Sequence, residues 1–137
     1  MIEFDKYCIK GFCEFSLDDS LAQVTQKTIP DGYGVYRFRA NTKDGKILYI
    51  GKGGTVNTDG TYKKQQLRER LNNKQGRIRR EQFLKNKLIE SNGEIERVFI
   101  EWFIIQEPDI MPAYMEASLI QEYYAEYHKL PEWNEAF

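Results

Sequence analysis

The sequence predicts an α+β fold, a three-stranded antiparallel sheet flanked by helices, with a short N-terminal extension packed on the core. Three observations point to it. Residues 33–39 and 46–50 alternate in polarity and are rich in aromatic and β-branched residues, and the turn signal Asp44-Gly45 lies between them. Residues 95–105 repeat with period two, which places Val98, Ile100, Trp102 and Ile104 on one face. Most of the remaining chain has helical spacing. At 137 residues the chain suits one domain and can bury a core without disulfides or metal staples.

The elements follow in order. Residues 1–30 form the extension. Phe4, Tyr7, Ile9, Phe12 and Phe15 make it too apolar for a free tail. Ser16-Leu-Asp-Asp-Ser20 reads as a helix start, with a short helix running towards Gln26. Ile29-Pro30-Asp31-Gly32 breaks the chain and opens the main domain, residues 31–137. In the hairpin, Tyr36 shares a face with Phe38, and Tyr49 shares one with Ile47 and Gly51. Gly51-Lys-Gly-Gly54 and the polar run to Gly60 form a loop. From about Lys63 the spacing is helical, with Leu67 and Leu71 in one helix, Leu84 and Leu88 in another, and Gly76 between them. Asn92-Gly93 ends the second helix, and residues 108–112 form a loop. A last helix starts with Pro112 in its first turn and runs to about His128, before Pro131.

Several functions are excluded early. No apolar run approaches the ~18–20 residues needed to span a bilayer. The N-terminal MIEFDKYCIK lacks a positive n-region followed by an apolar h-region, so the expected location is the cytoplasm. Cys8 and Cys13 are expected to be reduced there. With His128 the only histidine, a zinc site lacks ligands.

The net charge of −1 argues at face value against a nucleic-acid partner, but it conceals a split. Residues 63–87 carry Lys63, Lys64, Arg68, Arg70, Lys74, Arg77, Arg79, Arg80, Lys85 and Lys87 against only Glu69 and Glu81. Residues 101–137 carry eight acids against Lys129 alone. The basic block can present a phosphate-facing surface, although a solvated face balanced by the acidic segment explains the composition equally well.

Three features are harder to explain by folding alone. Two tyrosines fall on adjoining strands, in Gly34-Val35-Tyr36 and Tyr49-Ile50-Gly51. Arg70 lies inside Leu67-Arg-Glu-Arg-Leu71, whose leucines fix the packed side of that helix. Glu116 sits on a helical stripe with Leu119, Ile120 and Tyr123, where a carboxylate is costly unless paired or bound to a metal. Each has a bland reading: half-buried strand aromatics, a solvated arginine and a surface glutamate.

Taken together, these features resemble the GIY-YIG nuclease family. The resemblance runs from about Gly34 to Asn134 and consists of five elements in order. They are the Gly-Val-Tyr and Tyr-Ile-Gly half-motifs with a hairpin between them, the Leu-x-x-Arg-Leu helix, a Glu in a later helix and the Asn of Pro-Glu-Trp-Asn. It implies metal-dependent hydrolysis of DNA phosphodiesters with Mg²⁺ or Mn²⁺. Tyr36 and Tyr49 would be the active-site tyrosines, Arg70 would contact the scissile phosphate, Glu116 would hold the metal and Asn134 would support the site. Lys52 resembles a lysine of many members and would help lower the pKa of a neighbouring tyrosine. Lys63, Lys64, Arg68, Lys74, Arg77, Arg79 and Arg80 would bind DNA.

The residue types suit that chemistry. Arg70 and a metal on Glu116 can stabilise the charge that develops on the phosphate oxygens. With no histidine in the motif, a tyrosine is the candidate base, and the residues leave open which one. The family pattern is not met everywhere. The segment between Tyr49 and Arg70 is long, closer to the restriction-endonuclease branch. Lys74 stands where many members have His or Tyr. Arg68 competes with Arg70, but the two lie about 200° apart on a helix, so only one can face the site. A non-catalytic nucleic-acid-binding module of the same fold and a protein-interaction domain using the acidic, Tyr-rich helix 114–127 are the alternatives. One domain leaves little room for a separate sequence reader, so a homodimer or a specificity-providing partner is expected.

Overall fold

The computed structural model describes residues 4–137. It shows an α+β fold built on a four-stranded antiparallel sheet, one strand more than expected. Strands β1 (Lys10–Phe15), β2 (Gly34–Ala40), β3 (Ile47–Gly53) and β6 (Val98–Ile104) lie in the order β1-β6-β2-β3. The additional strand comes from the N-terminal extension, which is thus part of the sheet. Its pattern conceals it: Cys13 and Phe15 are buried, but Phe12 is exposed and stacks on Phe99 with ring centroids 4.9 Å apart. An edge strand with two buried side chains leaves little alternation to read.

Helix α1 (Leu21–Thr28) starts as expected. The Ser20 hydroxyl accepts a hydrogen bond from the Gln23 amide, which satisfies one orphan donor of the first turn. Leu21 and Thr25, one turn apart, face the core. The β2–β3 hairpin pairs Tyr36 with Gly51 and Phe38 with Tyr49. A register shift follows between Phe38 and Arg39, so Arg39 pairs with Ile47 and Leu48 is passed over. The bulge reverses the alternation. Leu48 joins the core beside Tyr36 and Phe38, and Ile47 packs against the opposite cluster, so Ile47 does not share the face of Tyr49.

The two helices expected between residues 63 and 92 are a single turn-and-a-half, a ribbon and one helix. Helix α2 (Leu67–Leu71) stops at Asn72. Strands β4 (Lys74–Gln75) and β5 (Ile78–Arg79) then form a small antiparallel ribbon that turns at Gly76, whose φ is +66°. Helix α3 (Arg80–Glu90) follows. Gly76 therefore closes a hairpin instead of separating helices, the role its positive φ permits. Asn92 and Gly93, with φ of 54° and 89°, end α3. Helix α4 (Pro112–Tyr127) has Pro112 in its first turn and ends at His128 in the left-handed region, as read.

Both faces of the sheet are covered. On one, α1, α2 and α3 bury Leu21, Leu67, Leu71, Leu84 and Leu88 against Tyr36, Phe38, Ile100 and Trp102. On the other, α4 buries Met115, Leu119, Ile120 and Tyr123 against Val35, Ile50 and Phe103. Strand β6 is accordingly buried on both faces. Strand β3 is an edge, so elements from both layers reach its end. Among the described residues no helix is long and apolar enough to cross a membrane.

Candidate active site

At that edge lies a polar cavity of about 430 Å³, lined by Tyr36, Tyr49, Lys52, Arg70, Glu116 and Asn134 together with Thr55, Gln65 and the end of the chain. All six residues singled out as site residues meet here. They arrive from β2, β3, α2, α4 and the C-terminal tail. A larger depression of about 530 Å³, against Phe12, Phe99 and Arg97, contains none of them.

The glycines of the two half-motifs have a steric cause. A Cβ at Gly34 would lie 2.0 Å from the Phe103 carbonyl oxygen on β6. One at Gly51 would lie 2.5 Å from the Tyr36 hydroxyl and 2.9 Å from the Tyr49 ring. Gly51 thus provides the space that lets both tyrosines occupy one face, with ring centroids 6.0 Å apart and planes 30° from parallel. Phe38 completes the layer, 5.4 Å from each.

The opposite margin of β3 is closed by the tail. Asn134 accepts from the Ile50 amide through Oδ1 and donates to the Ile50 carbonyl through Nδ2, both at 3.0 Å. The Trp133 amide donates to the Leu48 carbonyl. Asn134 therefore pairs the edge backbone between Tyr49 and Gly51.

Arg70 and Glu116 are half-buried, and among the described residues neither side chain makes a hydrogen bond or an ion pair. Burial raises the Glu116 carboxyl above its ordinary range, opposed by the positive charges of Lys52 and Arg70. The Lys52 ammonium donates to the Gly54 carbonyl at 3.2 Å. Tyr49 is pushed up to about 12, first by burial and then by Tyr36, against the pull of Arg80 and Arg70. The cations acting there are Arg80 and Arg70, and Lys52 acts on Glu116.

The basic block divides. Lys63, Lys64, Lys74, Arg77 and Arg79 are exposed and remain available to a phosphate backbone. Arg68 turns away from the cavity, donating to the Ile29 carbonyl at 2.7 Å and pairing with Asp31 at 2.9 Å. Lys74 is on the exposed ribbon and does not line the cavity. Arg80 cannot bind DNA as expected, because it is completely buried. Its Nη1 donates to the Tyr36 hydroxyl at 2.8 Å, and its guanidinium carbon lies 5.2–5.6 Å from the ring centroids of Tyr36, Phe38 and Tyr49. Sequence reasoning missed this role. Arg79-Arg80 reads as two equivalent surface arginines, and only the ribbon turn places the second inside.

Compared with family models, with curated proteins and with solved structures, the chain matches none.

Proposed function

We propose that this protein is a divalent-metal-dependent endonuclease of the GIY-YIG type that hydrolyses DNA phosphodiester bonds. The observation that carries the reading is the convergence of Tyr36, Tyr49, Lys52, Arg70, Glu116 and Asn134 on one polar cavity from five parts of the chain. Folding needs none of these charges there, and a half-buried arginine and carboxylate left without partners are poised for a ligand.

The scissile phosphate would lie against Arg70, whose guanidinium matches two phosphate oxygens in a forked geometry. Lys52, which also lines the cavity, adds positive charge. Glu116 would hold the metal. Among the described residues there is no group of three or more His, Cys, Asp or Glu able to hold an ion. One free carboxylate nonetheless fits Mg²⁺ or Mn²⁺, since a hard cation of this kind keeps several waters and shares the phosphates of its substrate. When bound, it supplies charge neutralisation at the reacting phosphate. A tyrosine of the cavity lining, Tyr36 or Tyr49, would handle the proton of the attacking water. The exposed lysines and arginines of the 55–65 loop and the ribbon would hold the flanking backbone.

The test is plasmid nicking in Mg²⁺ and Mn²⁺. Cutting is expected from the wild type, with a fall of about 10²–10³-fold in both Arg70→Ala and Glu116→Ala. DNA binding without cutting in either metal overturns the reading in favour of a binding module.

A further inference from the structure

Arg80 is the least economical residue of the fold. It is completely buried, and no carboxylate pairs with it among the described residues. Among the described residues its Nε and Nη2 donors find no hydrogen-bond partner. It is also the first residue of α3, where the helix dipole disfavours a cation. A guanidinium cannot discharge itself by losing a proton, so the full desolvation cost stands. Contact with the Tyr36, Phe38 and Tyr49 rings offsets only part of it. An apolar side chain of similar length would serve packing better.

We infer that Arg80 is a positioning residue of the candidate site, acting through Tyr36. The inference rests on the nuclease reading. Arginine has donors and no acceptor, so in the 2.8 Å contact the Tyr36 oxygen must accept. The phenol's own proton is thereby turned away from Arg80, and one lone pair is fixed. Tyr36 lines the cavity with Arg70 and Glu116, so the hydroxyl that Arg80 orients belongs to a residue of the candidate site. For the Tyr36 oxygen to take a proton from the attacking water it must first release its own to solvent, and the negative charge it then carries meets a fixed cation without reorganisation. Among the described residues Tyr49 receives no such hydrogen bond, which distinguishes the two tyrosines.

The experiment is a double-mutant cycle on the full chain. Single-turnover nicking in Mg²⁺, DNA affinity and melting temperature are measured for wild type, Arg80→Met, Arg80→Lys, Tyr36→Phe and the Arg80→Met/Tyr36→Phe pair. Arg80→Met is expected to keep its melting temperature and its DNA affinity within about twofold, yet to lose about 10²-fold in rate at saturating DNA. Arg80→Lys should recover at least about tenfold of that loss, because the cation and donor return. In the Tyr36→Phe background, Arg80→Met should cost less than about threefold, since residues acting as a unit are not additive. Wild-type rates in Arg80→Met overturn the inference. So do additive losses in the cycle, or a loss that follows a lowered melting temperature and is not rescued by lysine. A wild-type protein that binds DNA and never cuts it overturns the nuclease reading, and the inference with it.

Discussion

Glu116 shows how the site opposes the fold. Its carboxyl holds its proton more tightly in the folded chain than in the unfolded one, because burial penalises the charged form. That penalty is absent below the ordinary carboxylate range and fully present above the raised folded value. Glu116→Gln is therefore expected to melt a few degrees higher than wild type at pH 7, an advantage that fades as the pH falls through the acid range. Thermal melts of both proteins between pH 4 and 7 check it, and a Gln variant that melts lower at pH 7 contradicts it. The same substitution should abolish metal-dependent nicking, a trade of activity for stability. Cys13 gives a second measurement at this scale. Burial raises its thiol to about 11. With Cys8 exposed, a thiol reagent at pH 8 should label one cysteine in the native chain and two after denaturation.

Strand β3 and the ribbon carry the predictions that belong to elements. The edge of β3 would expose its backbone beside both tyrosines if the tail did not cover it. Asn134→Ala removes two hydrogen bonds to Ile50 and should cost about 1–2 kcal/mol, read from urea unfolding. Its nicking rate should fall as well, because β3 carries Tyr49 and Lys52. Unchanged stability would mean that the tail does not pin the edge. On the ribbon, Lys74, Arg77 and Arg79 are exposed beside Gln75, which lines a smaller hollow with Tyr49 and Trp133. Replacing the three by glutamate should weaken DNA binding at least tenfold and leave melting almost unchanged. Equal affinity of the triple variant in anisotropy titrations would remove the ribbon from the interface.

Across the whole molecule, charge is sorted by sequence. The basic residues of 63–87 flank Arg70 in the sequence, and the acidic segment 101–137 contains Glu116. A net charge of −1 thus coexists with a basic segment whose Lys63, Lys64, Lys74, Arg77 and Arg79 are exposed. DNA binding through these side chains should weaken linearly in a plot of log affinity against log salt, since each phosphate contact displaces counterions. Affinity that stays constant between low and physiological salt would contradict a phosphate-facing surface.

The sequence by itself determined a large part of this. Period-two alternation and an Asp-Gly turn are local signals, so β2, β3 and β6 were legible, as were the Ser20 and Pro112 helix starts. That Tyr36, Tyr49 and Arg70 line one cavity was legible because one strand pair puts two tyrosines together and two leucines aim Arg70; Glu116 stood out as a carboxylate on an apolar stripe, while Lys52 and Asn134 came only with the family resemblance. The rest depended on neighbours distant in sequence. β1 exists because β6 offers it a partner. The bulge that moves Ile47 to the other face follows from hairpin closure. Gly76 became a ribbon turn because α2 is too short to continue, and that turn carries Arg80 into the core. Whether an arginine is a surface charge or a buried donor to Tyr36 is set by what packs around it, and no local pattern in the chain encodes that.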